Sequence, residues 1–149
     1  MRRPLFSSIA VLISSMVFLA SMAGAAEPIA VIVNRDNPLE TLTGQDIRKI
    51  YTNHTLNWPG GTPVTIYDLS IQSPLRRVFT VRMLGAAPEK VAEEWAHLKI
   101  TNQAKNPPIT MKSEMLIIRR VASEKGAIGY VSMGLVKNNQ DVKVVYLIK

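Results

Sequence analysis

The 149-residue sequence contains no cysteine and only two histidines, His54 and His97. It therefore has no thiol nucleophile, no thiolate metal ligand and no disulfide staple. The histidines stand far apart in the chain, with no carboxylate at ligand-like spacing, so a metal centre is not expected. No Gly-x-Ser-x-Gly elbow occurs. The Gly/Pro turn NWPGGTP, residues 57–63, is followed by a strand and by no Lys-Ser/Thr pair, which excludes a nucleotide phosphate loop. Glu93-Glu94 reads as a solvated helix face. These absences argue against an enzyme and against a resident cofactor.

Basic residues outnumber acidic ones, 18 to 11. The N-terminal stretch MRRPLFSSIAVLISSMVFLASMAGAAEP has a basic tip (Arg2, Arg3) and an apolar run from about Ile9 to Ala20. Small residues, Ala23-Gly24-Ala25, then form a cleavage site. The run is short for a membrane span and is interrupted by Ser14 and Ser15. Residues 1–25 are thus expected to be a cleaved secretory signal peptide, and residues 26–149 a single domain. Export without cysteine points to a bacterial periplasm or cell surface. A basic exported domain has little access to nucleic acid. Its charge suits small anions, anionic headgroups or an acidic partner, and serves solubility equally well.

Along the chain, IAVIVN (29–34) is a β-branched run that reads as a buried strand. LTGQDIRKIYTN carries a helix start: Thr43 caps, Asp46 closes a capping box, and Leu42 staples onto Ile47. VTIYDL is a second strand. A helix from Pro74 to about Leu84 places Leu75, Val78, Phe79 and Met83 on one apolar stripe, and Gly85 ends it. Pro88 opens the next helix, with Val91, Ala92, Trp95 and Leu98 inward. ITNQAKNPPITM reads as a long polar loop. KSEMLIIRRVASEKG is a helix with Met111, Met115, Ile118, Val121 and Ala122 on its apolar side and Gly126 as its stop. AIGYV and VKVVYLI are two further strands. The alternation predicts an α/β fold with about four strands in one mixed sheet, flanked by about four helices.

The stretch DLSIQSPLRRVF (68–79) poses the functional question. Ser73-Pro74 is a good helix start and nothing more is needed to explain it. The same residues fit an anion seat: backbone N–H groups at a helix start, the Ser73 hydroxyl, and the planar fork of Arg76 one turn in. Asp68 and Ser70 would lie on its rim. Arg82 falls within the apolar stripe, where it either snorkels along the sheet edge or meets a buried carboxylate.

Taken in order, LTGQDIRKIYTNHTLNWPGGTPVTIYDLSIQSPLRRVF, EEWAHLK and GAIGYVS resemble the PstS-like, phosphate-binding components of ABC transporters. Leu42, Thr43, Ile47, Ile50, Tyr51 and Trp58 fit the family's first segment, and Gly126 to Tyr130 match its later GAIGY strand. Against the family's Ser-Gly-Thr-Arg turn this chain has Ser73-Pro74-Leu75-Arg76. Serine and arginine are retained, while a threonine hydroxyl and a glycine N–H are lost. Full members are about twice this length and clamp ligand between two lobes. The resemblance implies a periplasmic binding protein-like (type II) fold reduced to one lobe. It also implies recognition of phosphate or a similar oxyanion through Ser73, Arg76, Asp68 and Ser70, for a membrane permease or an envelope sensor. The alternative is a one-lobe derivative without ligand binding that serves as an envelope protein-interaction module.

Overall fold

The computed structural model describes residues 26–149, so the expected signal peptide lies outside the described residues. Five strands form one mixed sheet in the order β3-β2-β4-β1-β5. β1 (Ile29–Asn34) runs antiparallel to both β4 (Ala127–Ser132) and β5 (Val142–Ile148). β2 (Thr65–Leu69) runs parallel to β4 and to the short edge strand β3 (Ile109–Met111). The four strands expected from the sequence are all present in this sheet, and so is the expected α/β class.

Every residue of β1 is buried, which is why it reads as a continuous apolar run. Each such Val or Ile contributes about 1.5–3 kcal/mol by leaving water. α4 (Glu114–Ser123) covers one face of the sheet. It lies so close to β4 that a Cβ on Gly129 would stand 2.4 Å from Ile117 Cγ2. Side chains alternate along β4, so the neighbouring Tyr130 points to the opposite face. There its ring stacks on Phe79 at 3.8 Å, with Tyr51 edge-on to Phe79 at 4.9 Å. α1 (Gly44–Tyr51) and α2 (Pro74–Phe79) supply those rings and cover that face. α2 continues through a wider π-type turn, Thr80–Leu84, to Gly85, whose φ of 71° ends it in the left-handed region. α3 (Pro88–Ile100) follows.

Two connections fix the frame. The register of β5 shifts opposite Val31/Ile32, and the Val145 carbonyl accepts a hydrogen bond from Leu42 N at 3.0 Å. That irregularity ties the segment entering α1 to the sheet edge. Asn34, buried at the end of β1, donates to the carbonyls of Val121 and Ala122 at the end of α4. No helix among the described residues is long and apolar enough to cross a membrane.

Four expectations need correction. The stretch read as a polar loop contains β3, a three-residue strand whose first two residues are exposed. Met111 therefore belongs to β3, not to α4. In α4 Met115 is 54% exposed and Ile117 is buried in its place, because the helix starts at Glu114 and turns Ile117, Ile118 and Val121 to the sheet. In α2 Val78 is exposed and Arg76 takes the inward position. Arg82 takes the first of its two expected courses: it is exposed and reaches along the sheet edge, donating to the carbonyl of Lys149 just beyond β5.

Candidate functional site

β2 leaves the sheet at Leu69, and the chain turns through Ser70, Ile71 and Gln72 into α2. Ser73 N donates to Ser70 O at 2.9 Å, which closes the turn. Ser73 is the cap of α2: its Oγ accepts from Arg76 N at a long 3.4 Å, and Pro74 stands at the first helical position, where its missing N–H costs nothing. Ser70 Oγ faces Gln72 Oε1.

Arg76 is the unusual member. Its side chain is 7% exposed and reaches back under the turn to Asp68, which is 8% exposed, with Nη2 3.1 Å from Oδ2. Nη1 donates to the Leu69 carbonyl at 2.8 Å. Nε is buried without a hydrogen-bond partner. On the other carboxylate oxygen, Oδ1 accepts from Leu69 N at 2.8 Å and from the Tyr130 hydroxyl. Tyr130 is the ring stacked on Phe79, so the aromatic cluster forms the apolar bed of the ion pair. Burial in that bed raises the Asp68 pKa; the charge of Arg76 and the bonds from Tyr130 and Leu69 oppose the shift without cancelling it. Burial likewise raises Tyr130, with Asp68 adding to the effect.

Asp68 and Arg76 open onto a cavity of about 240 Å³ between the β2–β3 edge and α3. Thr110, the register partner of Asp68 on β3, lies on its wall. α3 contributes Ala92, Trp95, Ala96 and Lys99, spaced so that one helical face looks into the space. Trp95 is held by donation of its Nε1–H to the Tyr51 carbonyl at 3.2 Å. Of the four residues expected at an anion seat, Asp68 and Arg76 meet on this cavity, and Ser73 and Ser70 stand in the turn beside it, outside its lining.

The sequence placed Trp95 inward on its helix but did not place Trp95, Lys99 or Thr110 at the site. The one local signal was the 92-95-96-99 spacing on α3, in which small residues alternate with a Trp and a Lys. It did not say which strand that face would meet. Elsewhere, the fold brings His54 and His97 to one groove between α1 and α3, yet no group of His, Asp and Glu among the described residues is arranged to hold a metal ion.

Comparison with known proteins agrees with this architecture. Over residues 23–147 the chain matches the family described as the PBP superfamily domain, and it belongs to that family. Among solved structures it is similar to a Clostridium perfringens protein, assigned as a phosphate ABC transporter substrate-binding protein and determined with bound phosphate. That pair shares 24% identity with a TM-score of 0.64, over 80% of this chain and 44% of that one. An ABC-type phosphate transport receptor from Vibrio cholerae is 19% identical with a TM-score of 0.62, over 80% and 45%. PstS from Borrelia burgdorferi is 16% identical with a TM-score of 0.63, over 80% and 46%. The chain spans less than half the length of each of these structures. No curated protein matches it.

Proposed function

We propose that this PBP-superfamily lobe recognises a small oxyanion, phosphate first, at the Asp68–Arg76 pair. We further propose that it acts in the periplasm after removal of residues 1–25, for a membrane permease or an envelope sensor. The observation that carries the reading is the inward turn of Arg76. A guanidinium held 7% exposed, with one N–H unpartnered, is an expensive way to start a helix. A buried donor left without a partner calls for an explanation, and an external ligand supplies one.

In this reading Arg76 supplies the cationic fork. Asp68 accepts a hydrogen bond from a protonated oxyanion, which favours monohydrogen phosphate over sulfate. Ser73 and Ser70 present hydroxyls at the turn. The lobe shares its fold with structures of phosphate-transport proteins, and the choice of phosphate as first ligand is carried over from them as part of this proposal.

A specific feature favours the interaction-module alternative. Both Nη groups of Arg76 already have partners within the protein, and the Ser73 hydroxyl already accepts from Arg76 N. A seat whose donors are, apart from Arg76 Nε, engaged within the protein has less to offer an anion. Titration calorimetry of the purified chain against phosphate and sulfate separates the two. Phosphate binding that is stronger than sulfate binding supports the oxyanion reading. No binding of either at millimolar concentration gives the lead to the interaction module.

A further inference from the structure

The cavity above the ion pair is larger and less polar than a bare oxyanion requires. Its volume of about 240 Å³ is several times the roughly 30 Å³ share of one water molecule in the liquid, which leaves room beside a tetrahedral oxyanion. Beyond the ion pair, with Thr110 as a polar exception on β3, most of the wall is apolar. Ala92 and Ala96 stand one turn apart on the same face of α3, and their small side chains leave the space open. Trp95 walls one side, Ile71 and Pro108 reach it from the β2–α2 turn and from the approach to β3, and Ile71 stays 36% exposed with no cover of its own. Charge is confined to Asp68 and Arg76 on the β2–α2 side and to Lys99 at the far end of the α3 face.

We propose that the ligand of this cavity is an oxyanion with a short apolar substituent, of the alkylphosphonate class. This rests on the oxyanion reading above and deepens it. An alkylphosphonate keeps three of phosphate's four oxygens on a tetrahedral phosphorus, and it keeps the ionisable O–H that Asp68 addresses while the other oxygens face Arg76. Its alkyl group lies against Trp95 and over Ala92 and Ala96, where it displaces water from apolar wall. Each buried CH2 then improves affinity about four-fold, the equivalent of about 0.8 kcal/mol.

The test is calorimetry of the full purified chain with phosphate, methylphosphonate, ethylphosphonate and sulfate. Affinity is expected to rise from phosphate to ethylphosphonate, by about four-fold at the added CH2. Ala92→Leu, which fills the space, should remove the gain of ethylphosphonate over methylphosphonate. Ala96→Leu, at an exposed position that tolerates substitution, should do the same if Ala92→Leu does not fold. Phosphate binding as tightly as ethylphosphonate overturns the proposal while leaving the oxyanion reading intact. So does a gain that survives the filling variant. Binding of none of the four ligands overturns both.

Discussion

α1 and α2 begin alike and diverge at their third residue. Each has a hydroxyl cap, Thr43 or Ser73, whose oxygen accepts the N–H three residues on. At that third position α1 has Asp46 and α2 has Arg76. Asp46 turns back to the cap, accepting from Thr43 N at 2.8 Å, and completes a capping box at the positive end of the helix. Arg76 carries the wrong sign for that end and cannot accept from the cap N–H. It goes inward instead, to a carboxylate on the preceding strand. In the first helix start every polar contact is local and near solvent, and stability accounts for all of it. In the second the local rule is broken and the compensation, Asp68, sits in an apolar bed that raises its pKa. Departures of this kind from local consistency occur at functional or strained sites, and the proposed seat rests on the first of these.

The largest way to break the comparison is to remove the buried partner. Arg76→Ala leaves Asp68 without its cation in a buried site, and should cost about 3–5 kcal/mol of unfolding free energy in urea. Asp68→Leu combined with Arg76→Ala should recover much of that loss, since an apolar pair replaces a charged one. If the double variant is as unstable as the single, the pair is a structural linchpin and its inward turn needs no ligand to explain it. The cap of α1 gives the next effect. Thr43→Ala should cost about 1 kcal/mol and leave anion binding unchanged.

What was legible in the sequence follows from the same contrast. The α1 start, the buried run of β1 and the Gly85 stop are each announced by a pattern within a few residues, and all three are where the residues indicate. β3 was missed because three residues on an exposed edge, just after Pro107-Pro108, carry no usable period. The inward face of α2 was misjudged because an apolar stripe through Val78 looks better than one through Arg76 until Asp68 is known to lie beneath it. Asp68 and Ser73 were recognisable as neighbours of a possible seat. The ion pair, its aromatic bed and the α3 wall depend on packing between distant segments, and no spacing reports that.

The two carboxylates should also titrate in opposite senses. The Thr43 backbone and side-chain hydrogen bonds lower the pKa of Asp46 below its ordinary 3.8. Its contribution is therefore present above that value and is lost as pH falls through the folded pKa. Burial raises Asp68 above 3.8, so the folded state holds that proton longer than the unfolded chain does. Stability from this group is full at lower pH and declines as pH rises through the raised folded pKa. Urea midpoints measured across the acid range check both. Asp46→Asn should flatten the loss on the acid side. Asp68→Asn should lower stability overall and remove the decline above 3.8. Parallel profiles for the two variants would mean that Asp68 is not held in an apolar bed.

The smallest effect is expected at Arg77, and it gives the sharpest control. Arg77 follows Arg76 directly and points about 100° further round the helix. Its guanidinium lies over the start of α3, with Nη2 2.8 Å from Glu89 Oε1, and both side chains are more than half exposed. Pairs of this kind are screened by water and salt and hold little structure in place. Arg77→Ala should leave the urea midpoint and the anion affinity unchanged within error. Arg76→Lys, which keeps the buried charge but loses the planar fork, should weaken anion binding while sparing much of the stability lost in Arg76→Ala. If Arg77→Ala weakens anion binding as much as Arg76→Lys does, binding follows the summed positive charge of the α2 start. The inward turn of Arg76 would then be a matter of packing, and the difference between the two helix starts would lose its functional meaning.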